Sequence, residues 1–186
     1  MTFRTFLYYQ STIVMASSMI FPFYILLLKN VGNNYAQFGW AYGIFALTAA
    51  FCYPMIGKLS DKIGDRILFL IYSWSMAVLL LLFPLVSTVW QIYGLQICMG
   101  ILSAVQKNTE KTALARQVKK ETAGGEIGKY HIRISVAAAI AIILTGYIVD
   151  FLTIASIFYI GSLIYMVSSV MLMTKRGGKV KDVTNN

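Results

Sequence analysis

The 186-residue sequence is poor in charged residues, above all in acidic ones. It contains 7 Asp and Glu residues against 16 Lys and Arg, and charged residues make up 12% of it, roughly half the share found in soluble domains. Two cysteines are too few for a disulfide-stapled scaffold, and no metal-ligand spacing surrounds either of them. Hydrophobic residues reach 58%, which excludes intrinsic disorder and a water-soluble globule. The sequence therefore predicts an integral membrane protein.

The groups that a membrane-embedded enzyme needs are also missing. No Asp or Glu lies deep within an apolar run, because Glu110 and Asp150 both stand at edges, and His131 is the sole histidine. Paired carboxylates, a His/Asp cluster or an activated Ser or Cys would be needed at membrane depth. We therefore predict no enzymatic activity, no catalytic or metal site and no cofactor. Proton coupling through Asp150 or His131 stays open, although a relay usually needs a titrating group inside the membrane.

What the sequence does contain is six apolar runs long enough to cross a bilayer as helices. The predicted spans are 6–28, 37–56, 67–86, 89–106, 130–149 and 154–173. Helices are favoured over barrel strands because the runs are continuous rather than alternating. The first run is too long for a signal-peptide core and is expected to be retained. Residues 1–174 thus form one predicted transmembrane domain, followed by a basic cytoplasmic tail, 175–186.

The basic residues give the predicted orientation. Fifteen of the 16 Lys and Arg residues fall at the N-terminus, in the 57–66 loop, in the 107–133 region and in the tail, whereas Lys29 alone lies on the other side. The positive-inside rule then places both termini in the cytoplasm, in a bacterial or archaeal plasma membrane. Anionic lipid headgroups are the expected contacts of this basic surface, and no nucleic acid is expected.

The loop between spans two and three carries the most specific motif, GKLSDKIGDR. It resembles the signature loop of the major facilitator superfamily, in which glycines shape a tight turn around a conserved acidic residue. The matching positions are Gly57, Leu59, Asp61, Lys62, Gly64 and Arg66. Asp65 departs from the pattern, because the family usually has a second basic residue there. The resemblance implies that this loop gates the cytoplasmic side of a transporter.

The resemblance also implies an all-α fold: six helices arranged as two inverted three-helix repeats, one half of a facilitator fold. Ser87 marks the midpoint of residues 1–174. Gly57 precedes Asp61 by four residues at the end of span two, and Gly146 precedes Asp150 likewise at the end of span five. Family members normally have twelve spans in two halves, and these residues supply one of them.

Small residues follow one stripe in span two and another in span five. In lipid, small residues allow helices to approach closely, either within one bundle or at a seam between two. In the family, spans two and five meet their counterparts in the other half, which a second copy of the chain could supply. The predicted homodimer interface comprises Gly39, Gly43, Ala46, Ala50, Ser135, Ala138, Ala139 and Gly146.

Polar residues recur at helical spacing in spans one and four, which line the family's central cavity. Polar groups in a bilayer usually face a cavity or another helix, so interhelical hydrogen bonding is the alternative explanation. The candidate substrate-binding residues are Tyr8, Thr12, Met15, Tyr93, Gln96, Gly100, Ser103 and Lys107. A solvated helix end would also explain Lys107; if it points inward, two copies would place two lysines near one cavity and favour anionic solutes.

The sequence thus favours a secondary transporter of a small solute, working by alternating access as a homodimer of six-helix halves. In this hypothesis Asp61 latches the cytoplasmic side by approaching the start of span five in the partner, near Gly125–Lys129. The alternative is a non-transporting membrane subunit or one half of a heteromeric transporter.

Overall fold

The computed structural model describes the backbone of residues 1–31 and 35–174 and the side chains of 1–24 and 35–174. Six α-helices occupy these residues, and no strand occurs among them, which confirms the predicted all-α fold. They are α1 (Phe3–Val31), α2 (Tyr35–Ile63), α3 (Asp65–Leu82), α4 (Val89–Gln117), α5 (Ala123–Phe151) and α6 (Ile154–Thr174). The predicted tail and the Lys29 side chain lie outside the described residues.

Within the described residues, four helices are long and apolar enough to cross a membrane: α2, α3 with the short 3-10 turn that follows it, α5 with the turn that precedes it, and α6. The polar stripe weakens this signal in α4, where Gln91, Gln96 and Gln106 interrupt the apolar residues. α4 also runs eleven residues past the predicted end of span four. The span boundaries therefore stay predictions.

The contacts between helices have the same pattern when the two three-helix repeats, α1–α3 and α4–α6, are exchanged. α2 packs chiefly on α4, and α1 packs chiefly on α5; likewise α1 contacts α6, and α3 contacts α4. If α1, α2 and α3 are exchanged with α4, α5 and α6 in that order, the α2–α4 contact becomes the α1–α5 contact. The α1–α6 contact likewise becomes the α3–α4 contact. The remaining large contact, between α3 and α6, is its own counterpart. This is the topology expected of two inverted repeats within one facilitator half.

The turn between the repeats is fixed by a capping box. The Thr88 hydroxyl accepts from the backbone at Gln91, and the Gln91 side chain accepts from the Thr88 backbone N–H at 3.2 Å and from the Ser87 N–H at 2.9 Å. Such reciprocal bonds satisfy amides that would otherwise be unpaired at a helix start. α4 therefore begins at a defined residue just after the midpoint of the six helices.

Burial differs strongly among the helices. In α3 and α6, 50% and 39% of the most apolar segment is buried inside the bundle, whereas the corresponding share is 11% in both α2 and α5. Large side chains such as Phe51, Met55, Ile143 and Tyr147 are exposed on these two helices. α3 and α6 are thus the more buried of these four helices, while α2 and α5 leave much of their apolar surface without a partner among the described residues.

Candidate functional site

A cavity of about 460 Å³ lies between α1 and α4, with smaller contributions from α2, α3 and α5. Its size falls within the usual range for small-molecule sites. Most of its wall is apolar and aromatic. Its lining residues include Ile13, Val14, Phe21, Tyr24, Tyr42, Phe45, Tyr72, Met76, Met99, Ile142, Ser17, Ser18, Gln96, Ser103, Gln106, Lys107 and Glu110.

Amides and hydroxyls in the cavity wall are tied to neighbouring helices. Gln96 on α4 is buried and donates a hydrogen bond from Nε2 to the hydroxyl of Tyr24 on α1. One end of Gln106 is also satisfied, since its Nε2 donates to Oε1 of Gln10 at 3.0 Å. The Gln106 Oε1 atom is buried without a partner among the described residues. These hydrogen bonds connect α1 to α4, and the same side chains form a polar part of the cavity wall.

The two charged residues of the cavity wall lie one turn apart on α4 and differ in their surroundings. Glu110 accepts a hydrogen bond from the Tyr130 hydroxyl of α5 at 2.5 Å, a length typical of a hydroxyl bonded to a carboxylate. Lys107 is exposed, and among the described residues no carboxylate lies within salt-bridge distance of its ammonium. The cavity therefore contains one cation with no ion-pair partner in the described part of the chain.

Of the eight predicted substrate-binding residues, the structure brings Gln96, Ser103 and Lys107 into the cavity wall. The other five lie outside its lining. Gly100 has a structural reason for its size: a Cβ atom there would lie 2.7 Å from the Phe45 carbonyl oxygen and 2.8 Å from Thr48 Cβ on α2. Lack of a side chain lets α2 and α4 approach closely.

The four remaining candidates lie outside the lining of this cavity and are all at least partly exposed. Tyr8 is half-exposed, and the guanidinium of Arg133 on α5 stacks over its ring at 4.8 Å. Thr12 donates its hydroxyl to the Tyr8 carbonyl at 2.8 Å, and Tyr93 packs edge-on against Trp90. Met15 is partly buried. Their place in a binding site stays a prediction.

Sequence reasoning missed several cavity residues. Gln106 and Glu110 continue the polar stripe of α4 at helical spacing after Gln96 and Ser103, so the pattern itself could have found them. Tyr24 gave no such signal, because nothing in the sequence of α1 marks it as the partner of a residue 72 positions away.

The signature loop forms a compact polar cluster, here called the loop clasp: Ser60, Asp61, Asp65, Thr112 and Arg116. Asp65 is its centre. Its carboxylate accepts hydrogen bonds from Thr112 Oγ1 at 2.9 Å, Ser60 Oγ at 3.3 Å and Arg116 Nη1 at 3.0 Å, and only 14% of its side chain is exposed. The residue that departs from the family pattern thus joins α2, α3 and α4.

Asp61 holds a weaker position in the loop clasp. Its carboxylate lies 3.4 Å from Arg116 Nη2, and 76% of its side chain is exposed. An exposed pair of this kind contributes about 0.5 kcal/mol or less. Asp61 is therefore loosely held, although the gating role predicted for it stays a prediction.

Two other motif residues have defined structural roles. Gly64 adopts φ +80° and ψ 156° directly before α3, a conformation that a side chain would strain. Arg66 donates from Nη2 to the carbonyls of Leu172 at 2.9 Å and Met173 at 3.2 Å. A cation that binds the last carbonyls of a helix complements its dipole, so Arg66 ties α3 to the end of α6.

The predicted interface stripes lie on the two least buried helices. Gly39, Ala46, Ala50, Ser135 and Ala139 are exposed, and the other three stripe residues are partly exposed. A Cβ atom added at Gly39, Gly43 or Gly146 would meet no described atom within 4 Å. Among the described residues, the three stripe glycines therefore have no close neighbour that requires the absence of a side chain.

These features are those of one half of a membrane transport protein: six helices in two inverted repeats, a cavity between α1 and α4, and the signature loop of residues 57–66. The family model of the Major Facilitator Superfamily matches residues 8–185. The chain belongs to this superfamily. Its members are transporters, which confirms that the chain is not an enzyme.

Individual relatives fall into two size groups. The chain is 45% identical over 158 residues to the uncharacterized MFS-type transporter YitZ of Bacillus subtilis, covering 85% of this chain and 96% of that relative. It is 26% identical over 157 residues to the multidrug resistance protein MdtG of Dickeya zeae, and 24% identical over 147 residues to a multi-drug resistance efflux pump PmrA homolog of Lactococcus lactis. These matches cover 82% and 77% of this chain but only 38% and 36% of the two relatives.

Proposed function

We propose that the chain is a half-size secondary transporter that works as a homodimer, with two six-helix bundles related by a twofold axis along the membrane normal. The observation that carries this proposal is a face of α2 and α5 that has no partner among the described residues and on which all eight small stripe residues are at least partly exposed. Facilitator transporters consist of two such bundles. The match to YitZ covers 96% of that relative's length, which supports a half-size transporter.

The cavity supports the same arrangement. α1 and α4 supply most of its wall, and α2 and α5 flank it with Tyr42, Phe45 and Ile142. One bundle offers one wall, and a symmetric partner would supply the opposite wall. A small solute would bind between them, and rocking of the two bundles would expose it to either side of the membrane in turn. In this proposal both termini and the loop clasp face the cytoplasm, because fifteen of the 16 Lys and Arg residues lie on that side of the predicted spans.

Native mass spectrometry of the protein released from lipid nanodiscs tests the stoichiometry. The expected result is a dominant mass of twice 20.8 kDa. A monomer that persists across lipids and protein concentrations would contradict the homodimer and would favour a subunit whose second half is another chain.

Cysteine crosslinking tests the interface itself. Ala46 and Ala139 both lie at the middle of their predicted spans, so α2 of one copy should meet α5 of its partner at the same depth. In a background with Cys52 and Cys98 replaced by serine, co-expressed A46C and A139C chains should form a disulfide-linked dimer. Leu163→Cys, exposed on α6, is the matched control and should not crosslink with itself.

The latch role of Asp61 needs a conformational measurement. A spin label at Lys119 or at Ser87 reports the distance between the two copies at opposite ends of the bundle. Asp61→Asn should lengthen the distance at Lys119 and shorten it at Ser87, because loss of the charge weakens closure at the loop end. If distances and solute flux in proteoliposomes stay unchanged, Asp61 is not a latch.

A further inference from the structure

We infer that the cavity binds amphipathic organic anions, with Lys107 as the residue that recognises the anionic group. The inference deepens the proposed function, since it names the class of solute that the homodimer would carry. It starts from a charge without a counterion. Lys107 contributes to the cavity wall, and no described carboxylate lies within 4.0 Å of its ammonium.

Glu110, the other charged residue of the cavity wall, does not form an ion pair with Lys107. Glu110 lies three residues further along α4, but its Oε1 atom is already the acceptor for the Tyr130 hydroxyl. That bond directs the carboxylate toward α5. Lys107 is exposed to solvent and also contributes to the cavity wall, and a cation beside apolar walls attracts a negative group on a ligand. In a symmetric dimer, the partner's copy of the same residue would double this effect.

The rest of the wall determines the body of the ligand. Phe21, Tyr42 and Phe45 present aromatic rings, and Met99 adds an adaptable thioether side chain. Gln106 also contributes to the wall, and its Oε1 atom is buried without a described partner. The recognised solute is therefore an apolar, ring-sized body with one negative group.

Two matched probes separate charge from hydrophobicity. 8-Anilinonaphthalene-1-sulfonate carries a sulfonate, and N-phenyl-1-naphthylamine has the same ring system without it. Saturable binding of each is measured by fluorescence with the full chain in nanodiscs of zwitterionic lipid, after subtraction of empty nanodiscs. The sulfonate probe should bind about tenfold more tightly than the neutral one, as expected for a charge-assisted contact.

Variants assign the preference to one side chain. Lys107→Gln should lower affinity for the sulfonate probe about tenfold and leave the neutral probe within twofold, whereas Lys107→Arg should keep the preference. Lys111→Gln is the matched control, because Lys111 is exposed one turn further along α4 and is not part of the cavity wall. Equal affinities for both probes, or an unchanged preference in K107Q, would overturn the inference.

The outcomes for the solute class and for the proposed transporter are distinguishable. If the sulfonate probe binds through Lys107 to a protein that stays monomeric, the homodimer is wrong and the anion site stands. If the protein is a dimer that moves solutes but the preference does not depend on Lys107, the transporter stands and the solute class is wrong. Tighter binding of tetraphenylphosphonium to K107Q than of the sulfonate probe to the native chain would identify a site for cations instead.

Discussion

Arg116, in the last turn of α4, lies 3.0 Å from Asp65, the first residue of α3. In the signature pattern that the loop resembles, position 65 is usually basic, so an acidic residue here acquires a basic partner on α4. Thr112 and Ser60 donate to the same carboxylate. A side chain that breaks the family pattern has become the acceptor at the centre of the loop clasp.

Asp65→Asn should therefore destabilise the protein by about 2 kcal/mol. Hydrogen bonds to a charged group contribute about 1.5–3 kcal/mol each when one partner is removed, and the amide keeps only part of the acceptor capacity. Asp61→Asn is the control, and we expect a change below about 0.5 kcal/mol because that side chain is exposed. The free energy of unfolding is measured by titrating SDS into mixed micelles. Equal losses in the two variants would contradict the central role of Asp65.

A charge reversal tests the pair more directly. Asp65→Arg alone should place two cations together and lower stability, and Arg116→Asp alone should place three carboxylates together. The double variant restores opposite charges and should recover at least half of the summed loss, because residues in contact are energetically coupled. Additive losses would show that Thr112 and Ser60, rather than Arg116, account for the contribution of Asp65.

Arg66→Ala should loosen the end of α6. Without the guanidinium, the carbonyls of Leu172 and Met173 lose their contact with α3, and we expect local opening to become about threefold to tenfold more frequent in the last turn. Hydrogen–deuterium exchange measures this opening. Lys62→Ala, which removes an exposed cation from the same loop, should leave exchange in α6 unchanged. Equal effects of both variants would indicate a general effect of charge.

The helices themselves could be predicted from hydropathy, but their ends could not. Apolar runs report the part of a helix that lies in hydrocarbon. α4 continues to Gln117 and α5 begins at Ala123, in polar segments that carry no hydropathy signal. The loop clasp depends on this extension, since Thr112 and Arg116 both lie beyond the predicted end of span four. A membrane-based pattern cannot locate residues that pack outside the membrane.

The sequence could predict which side of α4 faces the cavity, but not every residue of the candidate site. Helical spacing placed Gln96, Ser103 and Lys107 on one side of α4, and the structure puts all three in the cavity wall. Spacing could not show that Gly100, in the same stripe, faces α2, because a glycine is compatible with a cavity and with close packing. The pairing of Tyr24 with Gln96 depends on how deep α1 and α4 lie relative to each other, and no local sequence pattern encodes this depth.

Gly100→Ala should separate α2 from α4. The new methyl group would lie 2.7 Å from a backbone oxygen and 2.8 Å from Thr48 Cβ, so neither neighbour can move without moving α2. Overpacking of this kind costs about 1–3 kcal/mol, and the expected result is a lower melting temperature by circular dichroism in detergent.

Gly94→Ala provides the control on the same helix. A Cβ atom at Gly94 meets nothing within 4 Å, and replacing glycine by alanine inside a helix stabilises it by roughly 0.5–1 kcal/mol. The two variants should therefore shift the melting temperature in opposite directions. A rise for both would show that α2 and α4 can separate without loss.

The Tyr72 and Tyr165 hydroxyls, 3.0 Å apart, connect α3 to α6 in the centre of the bundle. Tyr72→Phe or Tyr165→Phe leaves the other buried hydroxyl without this partner and should cost about 1 kcal/mol. The double variant removes both polar groups, so its loss should be smaller than the sum of the single losses. A coupling energy of about 0.6 kcal/mol is typical of interhelical hydrogen bonds in membrane proteins.

Stability of the four proteins of this double-mutant cycle is measured by SDS titration, with Tyr159→Phe as the control on the exposed side of α6. Tyr159→Phe should leave the free energy of unfolding unchanged, because its hydroxyl does not lie between α3 and α6. If the Tyr72 and Tyr165 losses add, the two hydroxyls contribute independently. The α3–α6 contact would then depend on apolar packing of the rings, which lie 5.7 Å apart at 73°, rather than on their hydrogen bond.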